Sequence, residues 1–86
     1  MAKYRKKPIE VDAIKYDGTS RSIQEIQSMA YSSNRVVEWK KNKLLIHTDE
    51  GIMECKKGSY VIKGTEGEIY PCRESVFKAT YEEVSA

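Results

Sequence analysis

The sequence is poor in the side chains that usually carry covalent or metal chemistry. Its 86 residues include one histidine, one tryptophan and two cysteines, Cys55 and Cys72. Two cysteines cannot build a disulfide-rich scaffold, and together with one histidine they show no metal-ligand spacing. No apolar run approaches the roughly 18 residues of a membrane span, and no signal-peptide segment follows the N-terminus. We therefore expect a cytoplasmic protein with reduced thiols, no cofactor, no bound metal and no membrane partner.

Length and charge set further bounds. A chain of 86 residues, 40% hydrophobic and 33% charged, is typical of one small domain over residues 1–86. The net charge of +2 is too balanced for a nucleic-acid coat protein. Residues 1–43 nevertheless contain ten basic and five acidic side chains, against five and eight in residues 44–86. Residues 1–8 form a basic N-terminal arm, which fits either a solvated tail or a rim that attracts anions.

The apolar pattern favours strands over long helices, because valine and isoleucine far outnumber leucine. Residues 9–16 alternate as a strand with one wet face, and residues 36–39 form a second, short strand. Between them, Ser22 and Glu25 have the form of a capping box. Apolar residues then recur at helical spacing, which predicts the main helix at about residues 22–31. A shorter helix is predicted at about residues 73–79, followed by a final strand over 80–84.

Two hairpins are predicted in the second half. The first has the three-residue loop 49–51, which sets His47 opposite Met53 and Leu45 opposite Cys55. The second sets Lys63 opposite Glu68, Ile62 opposite Ile69 and Val61 opposite Tyr70, flanking the loop 64–67. The whole pattern predicts an α+β fold in which a curled antiparallel sheet, or a small open barrel, carries one main helix.

The sequence contains no convincing catalytic motif. His47 is predicted to be a diagonal neighbour of Cys55, but a nucleophilic pair needs closer approach and a third orienting group. No serine stands in a nucleophile elbow, and the glycines match no phosphate-binding fingerprint. Asp49, Glu50 and Glu54 cluster at a turn, where solvated carboxylates are expected. The prediction is that the protein is not an enzyme.

Aromatic residues beside cations are the more informative pattern. Stacking faces next to positive charges suit nucleotides and single-stranded nucleic acids, although Trp and Tyr in a small β domain are more often part of core and rim packing. The candidate ligand-binding residues are Arg5, Lys7, Trp39, Tyr60, Lys63, Tyr70 and Arg73.

Both ends of the chain resemble a family of small phage and prophage proteins. The likeness begins with the Tyr-Arg-Lys-Lys-Pro segment at residues 4–8 and extends through residues 9–13. It resumes at residues 57–64 and 67–72, the second of which reads Gly-Glu-Ile-Tyr-Pro-Cys, and it closes at residues 76–77 and 80–82. Lys57 and Ser59 stand where the family usually has Pro and Asp. The resemblance implies a phage- or prophage-encoded protein in the bacterial host cytoplasm.

Small phage accessory proteins often counter host defences, and this analogy suggests the first two of three candidate functions. The first is a non-enzymatic, oligomeric protein that sequesters a phosphorylated or nucleotide-type defence signal. The alternative is an interaction module that inhibits a host protein through an exposed strand edge or the basic rim. The third is weak nucleic-acid binding through the N-terminal arm. The small size favours binding over catalysis, and a homo-oligomer over a monomer, because a pocket of useful size would have to be shared between subunits.

Overall fold

The α+β prediction is confirmed in the computed structural model, which describes residues 2–3 and 9–83. Most of the predicted basic arm, including Arg5 and Lys7, lies outside the described residues. The strands are β1 (Asp12–Lys15), β2 (Val37–Lys40), β3 (Lys43–Thr48), β4 (Gly51–Cys55), β5 (Tyr60–Lys63) and β6 (Ile69–Cys72). The helices are α1 (Ser20–Ser32) and α2 (Glu74–Thr80).

The strands form two three-stranded antiparallel sheets that do not close into a barrel. The first has the order β1-β5-β6 and the second the order β2-β3-β4. Strand β6 packs against β3 and β4, and α1 contacts β1, β2 and β5. The main core therefore lies where the two sheets and α1 meet, and it includes Ile26, Leu44, Ile46, Val61 and Ile69.

Helix α1 begins one turn before the predicted capping box. Its N-cap is Thr19, in extended conformation, whose Oγ1 accepts the Ser22 N–H at 3.1 Å. The Asp17 carboxylate fixes this cap by accepting from the Thr19 N–H at 3.0 Å and from its hydroxyl at 2.6 Å. Ser22 is buried, and its hydroxyl donates to the Thr19 carbonyl instead of capping the helix. The predicted apolar stripe is confirmed, since Ile26 and Ala30 are fully buried.

The predicted register of the first hairpin is wrong by one residue. Thr48 pairs with Gly51 across the two-residue loop 49–50, and His47 lies opposite Ile52. The Thr48 hydroxyl tightens this turn by donating to the Gly51 carbonyl at 2.7 Å. The shift places Leu44 opposite Cys55, so both are buried and Leu45 and His47 lie on the other face.

The predicted register of the second hairpin is also wrong by one residue, but in the opposite direction, because its loop is longer than predicted. Lys63 lies opposite Ile69, Ile62 opposite Tyr70 and Val61 opposite Pro71. The cause is a five-residue loop, 64–68, in which the Gly64 N–H donates to the Glu68 carbonyl at 2.8 Å. The pairing gives the two faces of the first sheet different roles, because Val61 and Ile69 face the main core whereas Ile62 and Tyr70 face away from it.

Three predicted boundaries also change. The first strand covers only β1, because residues 9–11 pair with no strand. The second helix begins at Glu74 and ends at Thr80, close to the prediction. Residues 81–83 are not in a strand, so the predicted strand over 80–84 is wrong for its described part.

Candidate binding groove

A groove of about 1550 Å³ runs along the face of the first sheet that is turned away from the main core. Strands β1 and β5 and the loop 64–68 form one side, and α2 with the residues after it forms the other. Tyr60, Ile62 and Tyr70 point to this face because alternate residues of a strand share a side. Ile62 is fully buried although it lies outside the main core.

Three aromatic rings form a continuous stack beside the groove. The Tyr60 and Phe77 rings lie 3.9 Å apart and nearly parallel, with an angle of 12° between their planes. The Tyr81 ring follows at 5.1 Å from Phe77, at 29°. Residues 77 and 81 are one helical turn apart, and the Tyr81 N–H donates to the Phe77 carbonyl at 2.8 Å. The stack therefore joins α2 to β5 and presents ring surface to the groove.

Tyr70 is the fourth ring of the groove. Burial, followed by the neighbouring Tyr81 hydroxyl, raises the pKa of Tyr70 to about 12. The Tyr70 phenol therefore stays protonated and neutral in the physiological range, and its hydroxyl can donate or accept hydrogen bonds.

The described part of the groove lining is negatively charged. Among the residues that the structure describes there, the acids are Glu10, Asp12, Glu68, Glu82 and Glu83, and the single cation is Lys63. The Lys63 ammonium donates to the Ser32 hydroxyl at 3.4 Å, which ties it to the end of α1. An anionic ligand would therefore meet net repulsion in this groove, and a cationic ligand net attraction.

Glu68 is held in place over a glycine. Its carboxylate accepts the Glu66 N–H at 3.1 Å, and its side chain occupies the space that a Cβ atom at Gly64 would need. Gly64 is therefore required here by close approach and not by its backbone conformation. This arrangement presents a fixed carboxylate at the mouth of the groove.

The sequence-predicted binding residues fall in three places. Tyr60, Lys63 and Tyr70 line the groove. Trp39 lies in the second sheet, and Arg73 is an exposed residue before α2, so neither joins them. Arg5 and Lys7 lie outside the described residues.

Sequence reasoning missed Phe77 and Tyr81 as site residues. Phe77 is partly buried, and its ring completes the stack. The signal that indicates this pair is the i,i+4 spacing of two aromatics at the end of a short helix. The carboxylates give no such signal, because they come from three separate segments of the chain.

Trp39 marks a second, basic surface. Its side chain is 43% exposed, and its ring meets Tyr16 edge-on at 6.4 Å. The turn that follows has Lys41 and Asn42 with φ of 53° and 61°, and it places Lys40 directly opposite Lys43. Within the described part of the chain, the ion pairs include none of these three lysines. Like charges directly opposite each other destabilise a strand pair, so an anion bound here would relieve repulsion.

The predicted proximity of His47 and Cys55 is wrong. The register places them on opposite faces of the second sheet, where His47 contacts the Glu38 carboxylate and Cys55 is buried in the core. Burial raises the pKa of the Cys55 thiol to about 11, which disfavours the thiolate nucleophile. Among residues 2–3 and 9–83, no cluster of His, Cys, Asp and Glu could hold a metal ion. Helices α1 and α2 are too short or too polar to cross a membrane.

In comparisons with protein-family models, with curated proteins and with solved structures, the chain matched none. The resemblance of its ends to small phage and prophage proteins therefore stays a prediction.

Proposed function

We propose that the protein is a non-enzymatic interaction module whose groove binds a Lys- or Arg-bearing segment of another protein. The observation that supports this most is the aromatic stack of Tyr60, Phe77 and Tyr81 inside a rim of carboxylates. Of the functions expected from the sequence, this is the inhibitor of a host protein, with the contact surface moved from a basic rim to an acidic groove.

Two physical terms favour a cation in this groove. A guanidinium or ammonium over an aromatic face gains about 0.5–2 kcal/mol, depending on how far it is desolvated. The excess of carboxylates adds a long-range attraction that raises the association rate and is screened by salt. The groove is open along its length, which suits an extended peptide better than a compact metabolite.

Calorimetric titration with a blocked tetra-arginine peptide tests the proposal. Citrulline has the shape of arginine without its charge, so a blocked tetra-citrulline peptide is the matched control. We expect binding of the arginine peptide only, weakened by added salt. Equal binding of both peptides would refute the role of charge.

Two variants connect this binding to the groove. Glu68→Gln removes one rim charge, and we expect about 3- to 10-fold weaker binding of the arginine peptide. Glu25→Gln on α1 removes the same charge outside the groove and should change affinity by less than about 2-fold. Equal losses in the two variants would show that the peptide senses only the total charge of the protein.

A second candidate function is supported by the surface around Trp39. An exposed indole beside Lys40, Lys41 and Lys43 fits a phosphorylated or nucleotide-type ligand, the defence signal expected from the sequence. Thermal-shift measurements with cyclic dinucleotides and ADP-ribose test it, because a ligand that binds the folded state raises the melting temperature. Stabilisation that Trp39→Ala abolishes would support it, and no stabilisation at millimolar ligand would exclude these ligands.

The biological setting belongs to the same proposal. The phage-like sequence ends support a phage-encoded protein acting on a host partner in the bacterial cytoplasm. Cys55 and Cys72 are both unbonded thiols, as a reducing compartment requires. The nucleic-acid alternative depends on the basic arm, most of which lies outside the described residues, and it stays a prediction.

A further inference from the structure

Strand β4 is an edge strand that contains neither lysine nor proline. It is the last strand of the second sheet, and residues 51–54 are all exposed, with Ile52 61% and Met53 46% accessible. Edge strands of soluble proteins are usually guarded by lysine or proline. The edges β1, β2 and β6 contain Lys15, Lys40 and Pro71 respectively, whereas β4 contains neither residue type.

The backbone of β4 has hydrogen-bonding groups to offer at this edge. Thr48 and Gly51 close a two-residue loop, so their pair is hydrogen-bonded and the next pair, His47 with Ile52, is not. The His47 N–H indeed donates to the Val36 carbonyl, away from β4, at 3.1 Å. The N–H and C=O groups of Ile52 and Glu54 therefore point out of the sheet.

We infer that β4 pairs antiparallel with β4 of a second copy of this chain, around a twofold axis at Met53. This register sets Ile52 opposite Glu54 of the other copy, and the two residues exchange backbone hydrogen bonds in both symmetry-related pairs. The result is a continuous six-stranded sheet, which is a self-complementary interface.

Charge selects this register from its neighbours. The two strands can form backbone hydrogen bonds only where residues whose N–H and C=O groups point out of the sheet lie opposite each other. The neighbouring registers that meet this condition have their twofold axis at Ile52 or at Glu54. With the axis at Glu54, the Glu54 carboxylates of the two copies lie opposite each other. With the axis at Ile52, Glu54 of one copy lies opposite Glu50 of the other. Centring on Met53 opposes Glu50 with Lys56, and within the described residues neither side chain belongs to an ion pair.

Sedimentation equilibrium of the full chain tests the association. We expect a monomer–dimer equilibrium in which Met53→Lys weakens the dimer about 10-fold or more, because it opposes two lysines across the axis. The matched control is Val76→Lys, at an exposed position of α2, which should leave the equilibrium unchanged. A monomer at millimolar concentration, or a dimer that Met53→Lys leaves intact, would overturn the inference.

Cross-linking tests the register independently. Residues opposed in a non-hydrogen-bonded antiparallel pair have Cα atoms about 4.5 Å apart, within the range a disulfide can bridge. In a Cys72→Ser background with a mild oxidant, Met53→Cys should form disulfide-linked dimers about 10-fold faster than Ile52→Cys. Equal rates for the two variants would refute the register.

A charge swap tests the predicted pair of Glu50 and Lys56 across the interface. Glu50→Lys should weaken the dimer about 3-fold, and adding Lys56→Glu to this variant should restore its affinity. Failure to restore the affinity would count against the register as well.

Discussion

Replacing Phe77 tests whether α2 is docked on the first sheet as described. The Phe77 ring stacks on Tyr60 and Tyr81, and Ile62 beneath this face is fully buried. Phe77→Ala removes two aromatic pairs, at about 0.5–1.5 kcal/mol each, together with the burial of a half-exposed ring. We expect a loss of about 2–3 kcal/mol in the free energy of unfolding, and a melting temperature roughly 10–20 °C lower.

Urea denaturation followed by circular dichroism measures this loss. Val76→Ala is the control, since Val76 is the exposed neighbour on the same helix and its truncation should cost no more than about 0.5 kcal/mol. Phe77→Leu keeps most of the apolar volume but not the stacking, so it should lie between the two. If Phe77→Ala costs no more than Val76→Ala, α2 does not cover the sheet and the groove has no second wall.

Three further predictions concern single groups. The pKa of Asp17, which the Thr19 hydroxyl lowers from 3.8 to about 2, can be followed by NMR titration; its contribution to stability is complete above about pH 4 and is lost as the pH falls towards 2, and Asp17→Asn should abolish this dependence. Ellman's reagent at pH 8 should modify Cys72 readily and Cys55 only in denaturant, because Cys55 is 1% exposed; rapid reaction of both thiols would contradict its burial. Gly64→Ala should displace the Glu68 carboxylate and weaken binding of the arginine peptide as Glu68→Gln does, with a small change in melting temperature; unchanged affinity would show that this carboxylate is not used.

The sequence predicts the local elements of this fold better than their pairing. The apolar spacing of Ile26 and Ala30 defines the buried face of α1, and both helices form where the pattern indicates them. The two hairpin registers are wrong because loop length is decided by hydrogen bonds that composition does not reveal. Thr48 tightens the first turn, and the Gly64 N–H widens the second by bonding to Glu68.

The candidate site is predictable only in part for a similar reason. Tyr60 and Tyr70 attract attention as aromatics near cations, and both line the groove. The charge of the groove is set by carboxylates from β1, the loop 64–68 and the residues after α2, which only the tertiary fold brings together. The neighbouring cations suggested an anion site, whereas the assembled lining favours a cation.

Chemical-shift mapping tests most directly whether the groove of the first sheet binds a positively charged segment. Uniformly ¹⁵N-labelled protein would be titrated with blocked tetra-arginine and, separately, with blocked tetra-citrulline. The proposal predicts salt-sensitive shifts for the amides of Tyr60, Glu68 and Tyr81 with the arginine peptide only. Shifts confined to the turn after Trp39, or equal shifts with both peptides, would contradict it.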